Sequence, residues 1–240
     1  SSRRRHTRLL TVTGVQTCAL PILYGGSYIF ADAHSIITSV SLPTEDTPML
    51  YSSLMTTLCG IQLEDKVVLA ADSQITEDNL RTISTRTPKI VHVGKYLLGI
   101  VGDTRPGDIL AYNWTPPNYK GADPIQWMGK KVLPSILSAF KENGYDPYEA
   151  TKDKDAGFDY LVSFNANLFH IAVDLSFIQS DHGLYGLGTG GQFAMGFLYG
   201  QLGSISNKPE KLATRAIEIA SVLDINTHEP VQLVTQERVY

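Results

Sequence analysis

Residues 55–76 of this 240-residue chain read MTTLCGIQLEDKVVLAADSQIT. Two hydroxyls, on Thr56 and Thr57, open an alternating stretch, and a carboxylate, Asp72, ends the next one. A lysine, Lys89, follows after a strand-sized gap, and residues 186–191 form the glycine-rich run GLGTGG. A hydroxyl becomes a nucleophile only beside a base, and a threonine in mid-chain brings none of its own. The Met-Thr-Thr order therefore raises the question of whether Thr56 is the first residue of the working protein. Each residue also has a plainer reading: an ordinary strand start, a strand-end turn carboxylate, a surface lysine. The glycine-rich run before a helix could cradle a phosphate, but it lacks the lysine of GxxxxGK[ST].

Several other chemistries find no support. The two cysteines, Cys18 and Cys59, make neither a disulfide framework nor a metal-ligand cluster. The six histidines are scattered, with no HExxH spacing. No catalytic metal and no organic cofactor is implied. A formal charge of -4, with 18% charged residues, argues against nucleic-acid binding. No apolar run approaches the roughly 18–20 residues of a membrane span, so no membrane partner is expected. The cysteine usage fits a reducing, cytoplasmic compartment.

The elements that must position these groups follow from periodicity. Residues 57–63 alternate as a half-buried strand, 64–66 form a turn, and 67–71 are a β-branched apolar run, which together make a hairpin. Residues 90–93 and 96–101 form a second pair around Gly94-Lys95. A short helix is expected at 106–112. A longer one is expected at 125–143, where apolar residues recur at helical spacing, Pro134 introduces a kink and Asn143-Gly144 ends it. Residues 145–156 are polar and turn-rich and read as a mobile loop. Strands are expected at 158–164 and 168–173, with a short third at 177–179. Two helices follow, one after the glycine run to about 202 and one over 209–222, with Pro209 in its first turn. Residues 231–239 alternate as a closing strand. Hairpins imply antiparallel sheets, and paired helices imply a layer outside each sheet. The expected architecture is α+β, a four-layer αββα sandwich.

The first 54 residues differ from the rest. Residues 1–22 carry four arginines and no acid and resemble translated sequencing-adapter sequence. A signal-peptide reading with an Ala31-Asp32-Ala33 site is opposed by the threonines and glutamine that interrupt the apolar stretch. Residues 23–54 hold no Lys or Arg. Residues 1–54 read as a non-native or propeptide-like extension, and 55–240 as the domain. Residues 1–54 hold four Arg and three acids, so the remainder carries 16 basic and 21 acidic residues and a formal charge of -5.

From Thr56 to the end, the motifs TTxxGI, VVLAAD, the lysine, LLGIVGD, GLGTGG and LDINT occur in an order that resembles the catalytic proteasome β subunit and the bacterial HslV peptidase. Both are N-terminal nucleophile hydrolases. GIVGD and GTGG lean towards the simpler homomeric members, including phage-encoded proteasome-like proteins. The resemblance implies a threonine peptidase in which the hydroxyl of Thr56 attacks and its own α-amine is the base. Such an amine titrates at about 7.7–8.0. Met55 fits removal of an initiator methionine better than a propeptide ending in glycine.

The resemblance further implies that Asp72 orients Lys89, whose charge lowers the pKa of the threonine hydroxyl. The gap between them is one residue longer than in the simplest relatives. Gly99 matches the glycine whose N–H faces the oxyanion, and Thr189 matches a serine beside the nucleophile. Asp224 and Thr227 match the acid and hydroxyl that support the amine and lysine. Thr76 matches a residue that binds substrate backbone. Ile75, Leu97 and Val101 match the lining of an apolar primary pocket. Expected partners are peptide or unfolded protein substrates, further copies in a homo-oligomeric ring, and a feeding unfoldase ATPase. Two rivals stand beside this reading: a non-catalytic structural ring subunit, and an N-terminal nucleophile hydrolase of small amides.

Overall fold

In the computed structural model, the described residues are 55–239 except 78–79, 151 and 153–156. Strands β1 (Leu58–Gln62) and β2 (Lys66–Ala71) form the expected hairpin, in the register Leu58↔Ala71 to Gln62↔Val67. Both strands are covered on both faces, which is why they read as nearly continuous apolar runs. The two-residue period divides them. Leu58, Val67, Leu69 and Ala71 face the other sheet, while Cys59, Ile61, Val68 and Ala70 face helices.

Strand β3 (Gln74–Glu77) pairs with β4 (Leu80–Ile83) in a small hairpin of its own. Sequence periodicity does not announce it, because residues 73–87 are mostly polar. Strands β5 (Ile90–Val93) and β6 (Tyr96–Gly102) turn at Gly94, whose φ of +58° is a conformation glycine takes readily. Strands β7 (Phe158–Phe164), β8 (Asn167–Ile171) and β9 (Phe177–Ile178) extend them into an antiparallel five-stranded sheet, β5-β6-β7-β8-β9. Strand β10 (Leu184–Leu187) joins β1, and β11 (Gln232–Glu237) joins β2, giving the second sheet the order β10-β1-β2-β11. The first two residues of the glycine-rich run, Gly186 and Leu187, are therefore strand, not loop.

Helix α1 (Thr104–Tyr112) begins two residues before its expected start. The expected long helix is in three parts: α2 (Pro124–Trp127), a π-helical segment Met128–Val132, and α3 (Leu133–Glu142), with Pro134 in the first turn of α3. Proline donates no N–H and its ring crowds the carbonyl four residues back, so the backbone widens there. The expected loop at 145–156 contains a short helix, α4 (Pro147–Ala150); 151 and 153–156 lie outside the described residues. Helices α5 (Gly191–Gly200) and α6 (Pro209–Leu223) follow, separated by the 3₁₀ turn Leu202–Ser204.

Three buried clusters define four layers. Ile109, Met128, Ile136 and Phe140 of the first helical layer pack on Tyr96, Phe158, Tyr160 and Val162 of the five-stranded sheet. Leu58, Leu69, Leu97, Leu161 and Leu168 fill the space between the sheets. Ala194, Leu198, Ala213, Ala216 and Ile217 pack on the outer face of the four-stranded sheet. Small alanines on α6 let it lie close to β1 and β2. The expected αββα sandwich is the observed fold.

Candidate active site

Just before β1, the hairpin ladder continues for one more pair. Asp72 N–H donates to Thr57 O at 3.1 Å, and Thr57 N–H donates to Asp72 Oδ1 at 2.9 Å. The Asp72 carboxylate is buried, and its remaining acceptor positions are filled. Oδ1 also takes the Lys89 ammonium at 2.6 Å, and Oδ2 takes Gln74 N–H at 2.9 Å and His228 N–H at 3.2 Å. Charge-assisted bonds of this kind are shorter and stronger than neutral ones. The Lys89 side chain is 11% exposed. Burial pulls its pKa below the ordinary lysine value, and the charge of Asp72 and its hydrogen bond pull it back.

The backbone of Lys89 is fixed as firmly as its side chain. Gln232, the first residue of β11, accepts Lys89 N–H at 2.9 Å and Ile90 N–H at 3.1 Å on one side-chain oxygen. It donates from its amide nitrogen to Ile90 O at 2.7 Å. Ile100 N–H closes the other side by donating to Lys89 O at 2.8 Å. Gln232 thus acts as a short strand edge made by a side chain. Neither it nor Gln74 is signalled in the sequence, because a neutral amide has no characteristic spacing.

Thr56 is 6% exposed. Together with Met55, Gln74, Ile75, Thr76 and Lys89 it lines a cavity of about 100 Å³. The far wall is Thr87, Pro88, Ile100, Gly102, Thr104, Gly107 and Asp108. Of the residues expected in an apolar pocket, Ile75 is here, but Leu97 and Val101 are not. They occupy the face of β6 that packs between the sheets, at 0% and 1% exposure, and alternation turns Ile100 and Gly102 towards the cavity instead. Gly99 likewise faces the space between the sheets, where a Cβ would stand 2.7 Å from Leu58 Cδ2.

Behind Thr57 lies a chain of hydroxyls. Thr57 Oγ1 and Thr227 Oγ1 are 2.5 Å apart, Thr227 donates to Asp224 Oδ2 at 2.6 Å, and Thr189 donates to the same oxygen at 2.7 Å. Asn226 N–H caps Asp224 Oδ1 at 3.2 Å. The structure therefore joins Thr189, Asp224 and Thr227 to each other and to Thr57. Gly190 is required by space rather than by backbone angle. A Cβ there would overlap Thr57 Oγ1 and come within 2.7 Å of Thr227 Oγ1 and 3.1 Å of Asp224 Oδ2. Gly190→Ala is expected to destabilise the fold by about 1–3 kcal/mol, read as a lower urea midpoint; an unchanged midpoint would mean that the hydroxyl chain yields freely.

The remaining chemistry is limited. The thiol of Cys59 is buried and pushed up to about 12, so it is no nucleophile near neutrality. Among the described residues no group of three or more His, Cys, Asp or Glu could hold a metal ion. Nor is any helix among them long and apolar enough to cross a membrane.

The topology is a four-layer αββα sandwich, with Thr56 and Thr57 just ahead of its first strand. The likenesses to known proteins agree. The chain is 21% identical over 181 residues to the "ATP-dependent protease subunit HslV" of Caldicellulosiruptor saccharolyticus, covering 75% of this chain and 97% of that one. Among solved structures it matches Thiobacillus denitrificans BPH in complex with epoxomicin, with a TM-score of 0.62, 19% identity, and coverage of 77% of this chain and 100% of that one. It also matches eukaryotic HslV from Trypanosoma brucei, with a TM-score of 0.58, 20% identity, and coverage of 76% and 100%. No family model matches. These likenesses support the HslV and proteasome β-type resemblance read from the sequence, and the fold is theirs.

Proposed function

We propose that this chain is a threonine-type endopeptidase of the proteasome-like, self-compartmentalising kind, with Thr56 as nucleophile once the residues before it are removed. The observation that carries the reading is the shared cavity of Thr56 and Lys89, with the Lys89 ammonium 2.6 Å from a buried Asp72 that also holds Thr57 N–H.

While Met55 is attached, the nitrogen of Thr56 is an amide and cannot take a proton. Freed, it is an amine that titrates at about 7.7–8.0 in unperturbed form. It accepts the hydroxyl proton as Thr56 Oγ1 attacks the peptide carbonyl carbon. The ammonium of Lys89 stabilises the developing charge on Oγ1. The tetrahedral intermediate collapses with cleavage of the C–N bond, and the amine returns its proton to the leaving nitrogen. Water, deprotonated by the same amine, then hydrolyses the ester and restores the hydroxyl. In this scheme Gly99 supplies the oxyanion N–H. Thr189, Asp224 and Thr227 steady the terminus, Thr76 pairs with substrate backbone, and Ile75 favours apolar side chains beside the scissile bond.

On this reading, residues 1–55 are absent from the mature protein and copies assemble into a ring fed by an unfoldase ATPase. The test is the intact mass of protein made from the native gene, with peptide hydrolysis measured on the same sample. A chain beginning at Thr56 that cleaves peptides and gains the mass of one epoxomicin supports the reading. A chain retaining Met55, or a processed chain without hydrolysis, favours a structural ring subunit.

A further inference from the structure

The amide of Gln74 is 1% exposed, yet only its nitrogen is used. Nε2 donates to Thr76 Oγ1 at 2.9 Å and to Ile225 O at 3.3 Å. A backbone carbonyl can only accept, so the contact with Ile225 fixes which end of the amide is which. Oε1 is therefore the free end; it is buried and has no hydrogen-bond partner among the described residues. A buried carbonyl oxygen without a donor is uncommon and calls for an explanation.

The surroundings narrow the choice of donor. Gln74 and Thr56 line the same cavity. Gln74 N–H and Thr57 N–H bind the two oxygens of one carboxylate, Asp72, each at 2.9 Å, so Gln74 stands directly beside the start of β1. The neighbouring nitrogens already bind elsewhere, Lys89 to Asp72 and the Gln74 nitrogen to Thr76 and Ile225. Because Oε1 is closed to solvent, an incoming peptide does not reach it from outside. One change supplies new N–H groups from within. Release of Met55 converts the single N–H of Thr56 into an amine with two, or an ammonium with three.

We infer that Gln74 is a positioning residue for the reactive terminus, its side-chain oxygen accepting a hydrogen bond from the freed α-amine of Thr56. This rests on the proposed role of Thr56. The bond would hold the amine in one rotamer, with its remaining face towards Oγ1, so that the base is aligned before substrate arrives. It would also favour the protonated amine over the neutral one. Lys89 and Asp108 on the cavity wall, and Asp72 and Asp224 behind it, also act on this amine. They are unchanged in the variants below, so differences between variants report on Gln74.

The test uses protein whose intact mass begins at Thr56, as wild type, Gln74→Met and Gln74→Glu. The α-amine is titrated by the pH dependence of its carbamylation with cyanate, read by mass on the amino-terminal peptide. That readout needs no catalysis. In Gln74→Met the amine should titrate lower, by about half a unit to one unit, and in Gln74→Glu higher than wild type. With peptide substrate, Gln74→Met should lose about tenfold in kcat with KM within about twofold. An amine pKa that moves in neither variant would overturn the inference, as would a rise in KM alone, which would place Oε1 on the substrate. If the wild type cleaves no peptide but its titration shifts as described, the contact stands and the peptidase reading fails. If it cleaves peptide and nothing shifts, only the present inference fails.

Discussion

Thr56→Ala is expected to abolish peptide hydrolysis and leave the fold intact. The residue precedes β1 and lines the cavity beside Lys89, so the change removes a hydroxyl and a methyl from the cavity wall and no ladder bond. Loss of a covalent nucleophile lowers kcat/KM on the order of 10⁴-fold or more. Thr56→Ser keeps both hydroxyl and amine, and is expected to retain activity within about a hundredfold of the parent. Steady-state kinetics with a short apolar peptide would separate the two, with a thermal melt showing that neither has unfolded. Activity surviving in Thr56→Ala would move the nucleophile elsewhere. Thr57 is the next hydroxyl along the chain, but it is already engaged with Thr227 at 2.5 Å.

Asp72→Ala should be nearly as damaging to activity and far more damaging to stability. It leaves the N–H groups of Thr57, Gln74 and His228 without their acceptor and the Lys89 ammonium without its counter-ion. Breaking a buried ion pair by removing one partner costs about 3–5 kcal/mol. The loss depends on pH. In the parent, burial lowers the pKa of Lys89 from 10.5, and Asp72 opposes the fall. Without Asp72 burial acts alone and the pKa falls further. Between that folded value and the unfolded one, the folded chain binds fewer protons than the unfolded chain, so stability rises with pH. The deficit of Asp72→Ala should therefore be greatest at and below neutrality and shrink as pH approaches 10.5. Urea titrations of both proteins across that range would show a converging pair of curves; parallel curves would mean that Lys89 is not the group that titrates.

The parts of the fold that could be read from the sequence were those with a strong period. β1, β2, β5 and β6 have alternating or β-branched runs long enough to fill a core, and α6 has an apolar face with Pro209 at its start. β3–β4 and β10 were not legible. The first pair is four residues each and polar, and β10 ends inside a glycine-rich run that looks like a loop. Among candidate site residues, Thr56, Asp72 and Lys89 stood out because charged and hydroxyl side chains at strand ends are conspicuous. Leu97 and Val101 lie between the sheets, off the cavity that Thr56 lines, for a physical reason. Alternation says that they share one face of β6 and that Ile100 lies on the other, but only packing decides which face meets the cavity. Gln74, His228 and Gln232 act through an amide or a backbone N–H, and no residue pattern reports that.

The sheet order β10-β1-β2-β11 has a consequence for a chain made from its amino end. Thr56, Thr57 and Asp72 leave the ribosome early, but the groups that complete their surroundings come much later: Asp224 and Thr227 behind Thr57, His228 on Asp72, and Gln232 on Lys89. The Thr57–Thr227 contact spans 170 residues of sequence. Pairings so distant in sequence form late, after the loop between them has closed. A nascent chain therefore carries Thr56, Thr57 and Asp72 with their surroundings incomplete until residues 224–232 have been made. Until the segment that leads into β11 docks along the open edge of β2, Thr57 lacks Thr227, Asp72 lacks His228 and Lys89 lacks Gln232.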